Sequence, residues 1–255
     1  MPKSKFHIVT VVKDFELYEK SIKNNEFTKD CNLITYDNSQ EDISITQRYN
    51  DFLENHLKGI APNDWVIFCN QGFQFLEDFK DIVLSLEPNA IYGVMGAKAR
   101  RKFSWKRFKF TEEIVKVGGV ITEVNHVSKQ RSRKDQKVKL VENIDSCCMI
   151  INAELLQDFH LNFNEKLPYF FFVEEFCLAA LYKYKIKSHV LPLDVFFLGS
   201  QEFPPEYYES KDYLKTEYHL NNFASYNSIE LNSTRYSLEN MVETVVETVV
   251  GICRD

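Results

Sequence analysis

Two adjacent glutamates carry the most pointed chemistry in this sequence. Glu174 and Glu175 interrupt an apolar run, with Phe-Phe-Phe-Val before them and Phe-Cys-Leu after them. A carboxyl placed in such surroundings has its pKa raised, which suits it to take a proton as a general base. The same pair also reads as the acidic first turn of a helix, set against the helix dipole. Acids and amides stand at other strand-like ends as well. Lys13 and Asp14 follow the first apolar run, Asp37 and Asn38 follow the second, and Asn70-Gln71-Gly72 closes the run Trp-Val-Ile-Phe-Cys. Asp145 stands just before the apolar run 147–151. Asp37 reads equally as a turn residue. Asn70 to Gly72 reads as a tight turn whose glycine lets a ligand approach the backbone closely.

The elements that must position these residues follow from hydrophobic periodicity. Short β-branched and aromatic runs at 6–12, 32–36, 65–69 and 90–96 read as strands. Between them, 16–25, 45–57 and 75–86 carry apolar residues at helical spacing. That alternation predicts a parallel, mostly buried sheet, whose ligands bind beyond the carboxyl ends of the strands. Further on, 98–110 alternates in two short pieces and reads as a hairpin or an edge pair. Residues 147–151 and 189–197 read as strands, and a helix starts at the glutamate pair. Residues 201–233 read as a loop-rich wrap. From Ser237 a helix carries Leu238, Met241, Val242, Val245, Val246 and Val249 on one stripe. The expected division is residues 1–200 as an α/β domain and 201–255 as the wrap with its amphipathic helix.

Composition excludes several classes. Hydrophobic residues make up 44% of the 255, enough for a sizeable core. No apolar stretch approaches the roughly 20 residues that cross a bilayer. Nothing at the amino terminus reads as a signal-peptide core. The six cysteines form no CxxC pair and lie mostly in apolar runs, as small buried hydrophobes of a reducing cytosol do. The expected location is therefore cytoplasmic, or peripheral at the inner face of the membrane. Net charge is −6, against a general nucleic-acid binder. Residues 98–139 nevertheless hold fourteen Lys/Arg against four acids, a segment of +10 in a chain whose remainder is −16. Such a segment is a solvated face, a source of Arg and Lys for a diphosphate, or a contact for an anionic membrane with Trp105 inserted among headgroups.

The order of segments resembles family 2 glycosyltransferases with a GT-A fold, in the bacterial glycosyltransferase-like branch. Seven pieces carry the resemblance over residues 6–200: Ile-Val-Thr-Val-Val at 8–12, Tyr36-Asp37-Asn38-Ser39, Arg48-Tyr49-Asn50, the strand ending in Asn70-Gln71-Gly72, Tyr-Gly-Val-Met-Gly-Ala at 92–97, Val-Glu-Asn-Ile-Asp-Ser-Cys-Cys at 141–148, and Glu174-Glu175-Phe-Cys-Leu. The resemblance implies transfer of a sugar, with inversion, from a nucleotide-sugar donor to a glycan or lipid-linked acceptor, in cell-surface polysaccharide biosynthesis. It implies that Thr10 and Val12 line the base pocket, Asp37 holds the base or ribose, and Asn50 braces the donor site. Asn70 and Gly72 would meet the donor. Asp145 would face the acceptor, and Glu175 or Glu174 would be the base. It also implies a divalent metal, Mn or Mg, yet the usual ligand positions fall near Gly72 and Phe197, neither of which binds a metal. Two functions stay open: a transferase working with or without a metal, and a degenerate GT-A domain that binds nucleotide or glycan.

Overall fold

The structure is a computed structural model and describes residues 5–104, 109–119, 137–198 and 204–218. The helix expected from Ser237, Trp105 and much of the basic segment lie outside the described residues.

A seven-stranded sheet forms the centre. In chain order its parallel half begins with β1 (Phe6–Val12), β2 (Asn32–Asp37) and β3 (Trp65–Cys69). The later strands are β5 (Ala90–Gly93), β8 (Lys139–Val141), β10 (Cys148–Asn152) and β11 (Lys187–Val190). The spatial order is β2-β1-β3-β10-β5-β11-β8, with β10 and β8 antiparallel to their neighbours and the other pairings parallel. The sheet is thus mostly parallel, as expected. Its central strands β3, β10 and β5 are almost wholly apolar and buried because both faces are covered. On β3, Val66 and Phe68 enter one core cluster while Trp65, Ile67 and Cys69 enter the other.

Helices flank both faces. On one face lie α2 (Ile45–Asn55), α4 (Ala153–Phe159), α5 (Phe172–Tyr184) and α6 (Pro205–Glu217), which supply Phe52, Leu156, Phe176 and Leu214 to a common core. On the other, the short helix α1 (Phe15–Tyr18) runs into a π turn at Glu19–Lys23, and Tyr18 and Ile22 join the second cluster. Helix α2 starts at Ser44, whose hydroxyl and Gln47 form a capping box.

Three expectations need correction. The helix expected over 75–86 shrinks to α3 (Lys80–Leu84), because Phe73 and Phe75 alternate as strand residues in β4 (Phe73–Phe75). That strand pairs with β12 (Val195–Phe197), setting Phe73 opposite Phe197. The strand expected over 189–197 is two strands, β11 and β12, broken at Pro192, which has no backbone donor. The loop expected from 201 contains α6, with Tyr207, Ser210 and Leu214 buried along one side. The hairpin expected over 98–110 is present and longer: β6 (Met95–Ser104) pairs antiparallel with β7 (Lys109–Gly118), and a two-residue strand β9 (Asn143–Ile144) adds to it.

Candidate active site

The carboxyl ends of β1, β2 and β3 close side by side. Val12 lies opposite Asp37, and the Asn38 N–H donates to the Val12 carbonyl at 2.8 Å. The Asn70 N–H donates to the Cys147 carbonyl at 3.1 Å, which brings the turn after Asp145 to the same edge. Lys13, Asp37, Asn70 and Asp145 are therefore neighbours of one mouth, although more than 130 positions separate the first from the last.

Asp37 is exposed at this mouth. Its carboxylate accepts the Ser39 N–H at 2.9 Å and the Ser39 hydroxyl at 2.7 Å, and these bonds hold its pKa below the ordinary value. Arg48 fixes the loop behind it, donating to the Asp37 carbonyl at 3.1 Å and to Asn38 Oδ1 at 3.2 Å, and pairing with Glu41. Asn50, one position beyond Tyr49, points elsewhere. Its amide donates to the Phe163 carbonyl at 2.9 Å and to Glu165 at 3.0 Å, and accepts the Phe163 N–H at 2.8 Å. It clamps the segment leading to α5. Thr10 and Val12 are core residues at 1% and 0% exposure, and the Thr10 hydroxyl lies against the Cys69 thiol. Their side chains do not line the mouth.

Asn70-Gln71-Gly72 is folded in on itself. Asn70 Oδ1 accepts the Gly72 N–H at 3.0 Å. Gln71 Oε1 accepts two backbone donors, Lys13 at 2.7 Å and Asp14 at 2.9 Å. The Leu198 N–H donates to the Gly72 carbonyl at 3.0 Å, and a Cβ on residue 72 would fall on the Leu198 carbonyl oxygen. The close approach that Gly72 permits is thus to the chain itself.

The two glutamates part company on α5. Glu175 Oε1 accepts the Tyr218 hydroxyl at 2.6 Å and the Asn164 amide at 3.4 Å; burial raises its pKa. It is bound into a polar knot with Tyr213, whose hydroxyl takes the other Asn164 contact at 3.1 Å. Glu174 is 3% exposed. Tyr207 of α6 lies near both Glu174 and Asp145: burial, then the charges of Glu174, Tyr208 and Asp145, push its phenol up to about 12. Asp145 is also buried, which raises its pKa, and it accepts the Cys147 N–H at 2.9 Å. Glu174 is thus the member of the pair near Tyr207, which also lies near Asp145. Just ahead of it, Phe171 holds φ +60°, a left-handed conformation that costs about 1–3 kcal/mol in a bulky residue. Its ring packs against that of Tyr207, tilted by 45° with the ring centres 4.8 Å apart.

Three further residues stand at the mouth. Lys13 Nζ lies 3.1 Å from Asp42 Oδ1 and 5.5 Å from the Tyr169 ring centre, and the Tyr169 hydroxyl donates to the same Asp42 oxygen at 3.1 Å. Asp42, Tyr169 and Tyr207 carry no signal in the sequence beyond being polar or aromatic. Tyr207 had one available clue, the spacing 207, 210, 214 after Pro-Pro at 204–205. A cavity of about 510 Å³ lies at the opposite, amino end of the sheet, beside His7, Asn32 and Asp64. There Asn32 donates to His7 Nδ1 and His7 Nε2 donates to Asp64, each at 3.0 Å, tying three strand starts together.

The fold is similar to that of solved structures. GalNAc-T7, solved with UDP, GalNAc and Mn2+, aligns with a TM-score of 0.51 at 9% identity, over 84% of this chain and 50% of that one. The chain has the GT-A fold. It spans about half the length of GalNAc-T7. Residues 1–349 of S. aureus TarS align at 0.47 with 13% identity, over 83% of this chain and 64% of that one. A197 from STIV aligns at 0.42 with 10% identity, over 76% and 86%. No protein-family model matches the sequence, and no curated protein sequence matches it.

The residues at the GT-A mouth do not fit a divalent metal. Asn70 and Gln71 are neutral amides whose oxygens are already committed to backbone donors. Position 72 has no room for a carboxylate against Leu198. Phe197, the second place at which the resemblance puts a ligand, arrives beside this turn in β12 but offers only a ring. Among the described residues no three His, Cys, Asp or Glu side chains gather as a metal site. Among them also no helix is long and apolar enough to cross a membrane.

Proposed function

We propose that this protein is an inverting glycosyltransferase that moves a sugar from a nucleotide-sugar donor to a hydroxyl of a glycan or lipid-linked acceptor, without a metal. What supports this reading is the GT-A sheet itself, with Asp37 exposed at the carboxyl end of β2 and Glu174 buried at the start of α5 near Tyr207, which also lies near Asp145. Asp37, exposed and held ionised by Ser39, is placed to accept from the ribose or base of the donor. Glu174 is the general base: it takes the acceptor hydroxyl's proton as that oxygen attacks the anomeric carbon and the nucleoside diphosphate leaves. Asp145 and Tyr207 border Glu174 and orient the acceptor. Glu175 serves the structure, since its carboxylate is engaged by Tyr218 and Asn164.

The test is release of nucleoside diphosphate from a panel of UDP-, GDP-, CDP- and dTDP-sugars, with Glu174→Gln and Glu175→Gln beside the wild type. Loss in Glu174→Gln, at least about a hundredfold, with Glu175→Gln retaining activity, is the expected result. A second function is favoured by one observation, the self-closed Asn70–Gly72 turn: a GT-A domain that binds a nucleotide without turning it over. Nucleotide binding with no release from any donor would favour it.

A further inference from the structure

We propose that Lys13 is the cation that receives the donor's diphosphate in place of a metal. This deepens the transferase function just proposed and rests on it. A departing diphosphate needs positive charge, and among the described residues the mouth offers no metal site. The turn that should carry carboxylates instead sends Gln71 across to hold the backbone N–H groups of Lys13 and Asp14 at 2.7 and 2.9 Å. That contact fixes the start of the Lys13 side chain between the ends of β1 and β3. Its Nζ then lies between the loop after β2, through Asp42, and the segment before α5, through Tyr169. Both charged partners are exposed, at 54% for Lys13 and 84% for Asp42. An exposed ion pair is weak and exchanges readily, so Asp42 holds the ammonium in readiness and a diphosphate outcompetes it. Arg48, another cation near this edge among the described residues, is already engaged by Asn38, the Asp37 carbonyl and Glu41.

The experiment is calorimetric binding of UDP, GDP, CDP and dTDP, and of the matching nucleosides, in EDTA. Lys13→Gln is expected to weaken the preferred diphosphate about 10- to 100-fold while leaving the nucleoside unchanged. Lys13→Arg is expected to restore most of that loss, and Asp42→Asn to tighten the diphosphate by freeing the ammonium. Because the side chain is exposed, these variants keep the fold, which thermal melting checks. Equal diphosphate binding by wild type and Lys13→Gln overturns the assignment and leaves the transferase function standing, whereas binding by the wild type that needs Mn2+ overturns both the assignment and the metal-free character of the transfer. Failure of the wild type to bind any of the four diphosphates overturns the assignment and the transferase function together.

Discussion

The side-chain oxygen of Gln71 bridges the backbone N–H groups of Lys13 and Asp14, at 2.7 and 2.9 Å. Two strand ends 58 positions apart are locked by one amide. Gln71→Ala leaves both donors to water and frees the start of α1. We expect a loss of about 1–2 kcal/mol in urea unfolding, with the slope unchanged. An unchanged midpoint would show that the bridge is not formed in solution.

Restoring an aspartate at the position where GT-A metal ligands fall should not restore a metal site. In Gly72→Asp the new Cβ meets the Leu198 carbonyl, so β12 must shift. The expected result is a melting temperature several degrees lower, equal with and without Mn2+. A gain in stability on adding Mn2+ would contradict this picture of the turn.

Burial sets the sign of a pH effect. Asp145 and Glu175 have folded pKa values above their ordinary 3.8 and 4.5, in each case chiefly because burial penalises the charged form. As pH rises past those ordinary values, the unfolded chain loses its protons before the folded chain does, and stability falls until the raised pKa is passed. Glu175→Gln should flatten the part of that fall beginning near pH 4.5, in urea midpoints measured from pH 4 to 8. Asp37, whose pKa is lowered, acts in the opposite sense and only below its ordinary 3.8. A midpoint that drops with pH equally in wild type and Glu175→Gln would contradict the burial argument.

The basic segment makes its own prediction. Residues 98–139, at +10, should sediment the protein with vesicles containing anionic lipid at low salt and release it as salt is raised. Absent or salt-insensitive sedimentation would remove the membrane from the account.

Much of the fold was legible because buried strands and amphipathic helices declare themselves locally. β1 and β3 fall at their expected bounds, and the glutamate pair does open a helix. What was not legible depends on long-range contact. Phe75 has helical neighbours in sequence, yet Val195 pairs with it and makes it a strand residue. Thr10 and Val12 sit at a strand end, but α1 and the following π turn cover their face of the sheet and bury them. The choice between Glu174 and Glu175 turns on α6, a helix hidden in a polar, tyrosine-rich stretch, with Tyr207 near its start close to Glu174 and Tyr218 just past its end bonded to Glu175. Likewise, the reason for a glycine at 72 lies 126 positions away, at Leu198.

The central claim is metal-free sugar transfer with Glu174 as the base. The most direct measurement follows nucleoside diphosphate release from the nucleotide-sugar panel in EDTA, for the wild type and Glu174→Gln. The account predicts turnover by the wild type that EDTA does not diminish, and a loss of at least about a hundredfold in Glu174→Gln at unchanged donor affinity. No release from any donor, release that requires added Mn2+, or a Glu174→Gln variant as active as the wild type would contradict it.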